Sequence, residues 1–260
     1  MAFETFNLSV DDDGVALLEL NRPSRLNCFN LQMLADWRAA LAQIAEDSRV
    51  RAVVLTAAGR AFCAGADTAD MVTMQSASNV TRKEYLWKLI QKIPLAMERL
   101  EVPVIAAVNG AARGAGLDMA LMCDIRWCAQ SASFAESYVS MGVISGDGGT
   151  WFLPRVVGVS RALELLWTGR VVDSAEAERI GIVSRVVPDA ELRAEALKFA
   201  REIAKQPPQA ITLMKRAVYH GLSGGTLASH LDMISSHMAV VFDTPEFQER
   251  LNAFLARQKK

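Results

Sequence analysis

Hydrophobic positions come in short blocks through most of the chain and then fall at helical spacing toward its end. Thr5–Val10 and Val15–Leu20 are apolar or alternating on either side of Asp11-Asp12-Asp13-Gly14, which predicts a β-hairpin. Leu31, Leu34, Leu41 and Ile44 recur at helical spacing and predict a helix. Arg51–Thr56 (RAVVLT) and Val104–Val108 (VIAAV) are brief apolar runs of the kind that form buried strands, and Ile125–Ala129 and Ile182–Val187 add two more. A glycine- and alanine-rich loop is expected over Ala57 to Met71, then one helix over about 80–100 that ends before Pro103. A turn at Gly110–Gly116 leads into a short helix, and two helices broken near Gly158 occupy 148–167. Ser174 reads as the N-cap of Ala175–Ile180. From Asp189 the pattern is helical, broken at Pro207-Pro208 and at Ser223-Gly224-Gly225, with a last long helix from Thr226.

Strands alternating with helices, then a helical end, predict an α/β fold with a core over 1–190 and a helical region over 191–260. With 260 residues, 51% hydrophobic and 22% charged, the chain can bury a large core. A net charge of −1 without a dense basic block argues against nucleic acid as the main partner. Cys28, Cys63, Cys123 and Cys128 sit in apolar segments without metal-ligand spacing, so buried reduced thiols and no metal are expected. The first ten residues lack a basic start followed by an apolar stretch, and no apolar run approaches the roughly 18 residues of a membrane helix. A cytoplasmic protein without membrane contact is expected.

Gly110, Gly114 and Gly116 follow a strand and open a helix, but their order is G-x-x-x-G-x-G, not the G-x-G-x-x-G of a dinucleotide site. What remains is either a tightly packed turn or a backbone with free N–H groups that a ligand can approach. Ala61–Asp67 (AFCAGAD) follows RAVVLT much as 109–116 follows VIAAV. Two such turns could aim two N–H groups at one oxygen, forming an oxyanion hole.

NRPSRLN at 21–27, AFCAGAD at 61–67, the NG…GAG…D…CDI run at 109–125 and GGT at 148–150 together resemble the crotonase, or enoyl-CoA hydratase/isomerase, family over essentially the whole chain. The resemblance implies a ββα spiral core, a helical C-terminal trimerisation region, trimers or hexamers built as dimers of trimers, and acyl-CoA thioester substrates. It further implies that the N–H groups of Ala66 and Ala115 hold the thioester carbonyl. Ser24, Arg25, Leu26 and the segment Ala64, Gly65, Ala66, Asp67, Thr68 would cradle coenzyme A, which enters as part of the substrate and not as a cofactor. Phe254 and the terminal basic residues, Lys259 among them, would reach a neighbouring subunit's coenzyme A; a plain solvated charge is the other reading of Arg25 and Lys259.

Family hydratases use two glutamates. The first position is Asp118 here, an acid one methylene shorter, and the second is Tyr138. Asp147, in Ser145-Gly146-Asp147-Gly148-Gly149, stands where typical hydratases have an uncharged residue. Several family isomerases and diketone-cleaving hydrolases carry a catalytic aspartate in this loop, and GGTWFLPR resembles the ring-opening-pathway isomerases. Asp147 is therefore a candidate proton carrier, and also a good N-cap for a helix from Gly148. Glu136, two residues from Tyr138 on an extended segment, shares its face and is expected to line the pocket. Tyr138 either donates a hydrogen bond or fills space, and Asp124 reads as structural. Met119, Met122 and Met141 read as core or acyl pocket. His230 and His237 lie one heptad apart on one helix face, a possible contact surface.

These features predict enolate chemistry on an acyl-CoA, double-bond isomerisation first and hydration of a 2-enoyl-CoA next, with Asp118 and Asp147 as acid/base residues. Two other readings stay open. One is a C–C bond hydrolase of a β-dicarbonyl without coenzyme A, needing Asp147 and a water-activating partner such as a C-terminal histidine. The other is a catalytically silent coenzyme A binder.

Overall fold

The computed structural model describes residues 3–258; Lys259 and Lys260 lie outside the described residues. Ten strands among the described residues form two sheets. Six of them, β1 (Phe6–Val10), β2 (Val15–Leu20), β3 (Ala52–Ala57), β5 (Val104–Val108), β7 (Ile125–Ala129) and β10 (Arg185–Val187), lie side by side in that order. The smaller sheet runs β4 (Ala61–Cys63), β6 (Ala111–Arg113), β8 (Ser133–Ala135), β9 (Val172–Asp173). β3 leads into β4, β5 into β6 and β7 into β8, and neighbours within each set are parallel. Each turn of the chain thus adds one strand to both sheets, which is the expected spiral.

The β1–β2 pair is the predicted antiparallel hairpin, closed by Asp11 Oδ1 accepting the Val15 N–H at 2.8 Å. β3 and β5 are buried along their whole length, which is why their sequences run apolar without alternating. The helix Leu192–Ala204 presents Leu192, Ala196, Ala200 and Ala204 to the core, so the region expected from 191 begins with a core helix. The three helices that follow, Pro208–Ser223, Leu227–Phe242 and Pro245–Gln258, bury only Ala217.

Several elements differ from expectation, each for a local reason. The loop after β3 contains β4, three residues long and too short to show a period, and a helix from Thr68 to Gln75. The helix expected over 80–100 is Asn79–Tyr85, a wide π turn over Leu86–Ile90, and Lys92–Arg99. Pro94 has no N–H for the Ile90 carbonyl, and Gln91 N–H instead reaches back five residues to Leu86. Asp173, not Ser174, caps the helix Ser174–Ile180 by accepting the Glu176 N–H at 2.8 Å. The strand expected from Ile182 is only β10. The helix from Thr226 ends at Phe242, and Thr244 accepts the Phe247 N–H ahead of Pro245 to start another. No helix among the described residues is long and apolar enough to cross a membrane.

Candidate active site

The two glycine-rich turns are neighbours because β4 and β6 are paired, Ala61 opposite Ala111 and Cys63 opposite Ala112. Gly116 sits so close to the end of β4 that a Cβ on it would lie 2.0 Å from the Cys63 carbonyl oxygen. Any side chain there would push the two turns apart. Ala115 is the first residue of the helix Ala115–Leu121, where backbone N–H groups have no acceptor in the helix. Ala66 bridges to Phe29 through the flanking bonds Phe29 N–H to Gly65 O and Asp67 N–H to Phe29 O, which turns its own N–H to the other side.

The predicted coenzyme A segments are also brought together. Ala64 N–H donates to the Leu26 carbonyl at 3.0 Å, and the exposed Arg25 lies 3.3 Å from Asp67. Arg22, not singled out from the sequence, pairs with Asp67 at 3.1 Å and also bonds the Cys28 carbonyl. Asp67 caps the helix that begins at Thr68 by accepting the Ala69 N–H, and that bond together with both guanidinium groups holds its carboxyl below the usual range. Its work is therefore to fix the two loops. Asn27, at φ +55 and fully buried, donates to the carbonyls of Ala58 and Ala61 and braces the same junction. Ser24 and Thr68 are exposed at its rim. Phe254 is exposed on the last helix and is not among the pocket walls.

The third component is acidic. Asp118, on the first turn of a wholly buried helix, is 0% exposed. Its Oδ2 accepts from the Tyr138 hydroxyl at 2.6 Å and from the Ser145 hydroxyl at 2.8 Å. The same Tyr138 hydroxyl is 3.0 Å from Asp147 Oδ2. One hydroxyl proton cannot serve two carboxylates fully, so the second contact is satisfied when Asp147 carries a proton and donates it to the phenol oxygen. Burial, reinforced by the charge of Asp118, pushes the Asp147 carboxyl up to about 7. Burial likewise raises Asp118, and it raises Tyr138 well above its ordinary value, so the phenol keeps its proton.

Asp147 does not cap a helix. The helix begins at Gly149, its N-cap is Gly148 at φ +116, and no side chain caps it. Ser145 closes that turn instead, accepting the Gly149 N–H at 2.8 Å. Gly149 itself must lack a side chain, since a Cβ there would lie 2.3 Å from Asp118 Oδ1. Gln91 holds the loop by donating to the Gly146 carbonyl at 3.0 Å. Ser145 and Gln91 carried no sequence signal beyond their proximity to Asp147 and to the π turn.

A small apolar pocket lies beside these groups, lined by Phe29, Trp37, Ile93, Met119 and Met122 and also by Ala115 and Asp147. Asp118, Glu136, His220, His230 and His237 are not among its walls. Glu136 lies behind Asp118, 1% exposed, because the chain leaves β8 for a 3₁₀ turn at Ser137 and strand alternation no longer applies. Met141 is exposed. Asp124 is structural, accepting from the Val104 N–H, Lys215 and the Tyr219 hydroxyl. Among the described residues no group of three or more His, Cys, Asp or Glu side chains has an arrangement that could hold a metal ion.

Known proteins resemble this chain in sequence and in fold. A probable enoyl-CoA hydratase of Mycobacterium bovis is 41% identical over 84% of this chain and 78% of its own length. The 1,2-epoxyphenylacetyl-CoA isomerase of Escherichia coli is 36% identical over 97% of this chain and 96% of its own. The crystal structure of an enoyl-CoA hydratase from Bacillus anthracis superposes with a TM-score of 0.90 at 35% identity, covering 98% of this chain and 97% of that one. With residues 11–260 matching the family model described as Enoyl-CoA hydratase/isomerase, the chain belongs to that family.

Proposed function

We propose that this protein is an acyl-CoA isomerase that shifts a double bond through a thioester enolate. The observation that carries this reading is that one carboxyl group, Asp147, meets the apolar pocket beside Ala115, while Asp118 is fully buried and reached through Tyr138. A carboxyl held near 7 populates both forms at neutral pH, which suits a group that takes a proton and returns it. The N–H groups of Ala66 and Ala115 receive the thioester oxygen, each worth about 2.7–4 kcal/mol in the transition state. Ionised Asp147 removes the α-proton of a 3-enoyl thioester, and the C–H electron pair moves into a dienolate whose oxygen rests on the two amides. Asp147 then returns the proton at the γ-carbon, the double bond closes between α and β, and no atom is gained or lost. Asp118, through Tyr138, keeps Asp147 in place and raises its proton affinity.

Ser24–Leu26 and Ala64–Thr68 take the coenzyme A portion, with Arg25 facing the phosphates. The exposed apolar side chains of the last two helices, Leu227, Leu231, Phe242, Leu251 and Phe254 among them, pack against further copies in a homotrimer or hexamer. The name of the Mycobacterium bovis relative favours hydration as the second reading.

The test is incubation in deuterated water with saturated, 2-enoyl and 3-enoyl CoA thioesters, followed by mass analysis. Movement of the double bond, or deuterium gained without added water, is the expected result. Addition of one water to the 2-enoyl substrates would replace isomerisation with hydration. No change on any thioester would overturn both and leave the coenzyme A-independent hydrolase or the silent binder.

A further inference from the structure

Glu136 is a buried acid that the mechanism above does not use. It follows β8, is 1% exposed, and neither of its carboxyl oxygens has a hydrogen-bond donor. Asp118 Oδ1 is likewise without a donor, whereas Asp118 Oδ2 has two. The orphaned oxygens converge: the Cβ position of Gly149 lies 2.3 Å from Asp118 Oδ1 and 2.9 Å from Glu136 Oε1. The charged groups acting on Glu136 are Asp118, from the helix Ala115–Leu121, and Asp147, from the loop before Gly149; no cation acts on it. Tyr138 and Ser145, the polar groups beside them, both spend their hydroxyl protons on Asp118.

Two buried carboxyl groups that converge on one point with no cation beside them among the described residues cannot both ionise, so the pair shares one proton. The position of the donors decides where it sits. Asp118 is stabilised as the anion by two hydroxyls, and Glu136 has nothing to stabilise a charge. We propose that Glu136 is a positioning residue, a carboxylic acid that stays protonated at neutral pH and donates that proton to Oδ1 of Asp118. Burial and then the charge of Asp118 push the Glu136 carboxyl up to about 10, in keeping with that geometry. Glu136, Asp118, Tyr138 and Asp147 then form one hydrogen-bonded line in which Asp118 is the fixed negative charge. Without the Glu136 donor Asp118 takes up a proton more readily and its repulsion of Asp147 fades. The Tyr138 proton is then free to turn toward Asp147, and the Asp147 carboxyl falls.

The test has an arm independent of substrate and a kinetic arm that rests on the proposed function. Infrared spectra in H₂O and D₂O are taken at about pH 8.5, between the values of about 7 for Asp147 and about 10 for Glu136. The expected result is a protonated-carboxyl band in the native protein that disappears in Glu136→Gln. Its absence from the native protein or its persistence in Glu136→Gln overturns the proposal whether or not the protein turns over any thioester. In kinetics, Glu136→Leu should lower kcat about tenfold with KM held, and move the pH limb of Asp147 down by roughly one unit. Glu136→Gln, whose amide can still donate to Asp118, should recover most of that loss. A Gln variant as impaired as the Leu variant, or a Leu variant with an unmoved pH limb, argues equally against it.

Discussion

Asp67 and Asp147 expose similarly little surface, 5% and 6%, but Asp147 lies deep in the protein and Asp67 near its surface, and their carboxyl groups are shifted in opposite directions. Asp67 has the Ala69 N–H and two guanidinium groups, and lies below the usual range as a permanent anion that ties two loops together. Asp147 is raised to about 7 first by its depth and then by the charge of Asp118 beyond the one phenol they share. Low surface exposure alone therefore does not make a proton carrier. Depth together with the identity of the neighbours does, and the proposed coenzyme A side and chemical side of this protein are built on opposite choices.

The largest test of that contrast is Asp147→Asn. It should lower kcat about 10²–10⁴-fold on the thioester that the native protein turns over, measured by steady-state kinetics with KM little changed. The same substitution should stabilise the protein at alkaline pH. A carboxyl raised from 3.8 to about 7 lends stability that is complete below the unfolded value and is lost as pH rises through about 7. The asparagine variant should therefore gain on the native protein between about pH 4 and 7 and stay ahead above that, by at most about 4 kcal/mol. Urea unfolding at several pH values checks it; a variant less stable at high pH would mean that Asp147 is held as an anion after all.

Tyr138→Phe is the next in size. It removes the phenol oxygen that accepts the Asp147 proton and one of the two donors that keep Asp118 anionic, so the Asp147 limb of the kcat/KM profile should move to lower pH by about one unit, and kcat should fall about 10–100-fold. An unmoved limb would separate Asp147 from Tyr138 and Asp118. Asp67→Asn has the smallest effect on chemistry and the opposite character. It strips the charge that the half-buried Arg22 faces, so it should cost about 1–3 kcal/mol of stability and raise KM with kcat nearly unchanged. If kcat fell as steeply as in Asp147→Asn, the division between a binding side and a chemical side would fail.

Much of this arrangement could be read from the sequence. The hairpin, the strands β3, β5 and β7, and the break at Gly158 follow from hydrophobic blocks and turn residues within windows of a few positions. The strands β4, β6 and β8 could not be read that way, because three residues carry no period, and they are the ones that set the two glycine turns side by side. Glu136 was misplaced for a related reason, since alternation was carried one residue past the end of β8.

By itself the sequence determined the family, the α/β spiral and the residues that could hold a thioester or move a proton, because these rest on local pattern and on motif spacing. Only the tertiary structure decided which carboxyl meets the pocket, which lies behind it and which is paired with arginines. Those outcomes depend on burial and on neighbours 20 to 45 positions away along the chain, as Tyr138 is from Asp118 and Asp67 from Arg22. Proton affinity is a property of such surroundings, and no window of sequence contains them.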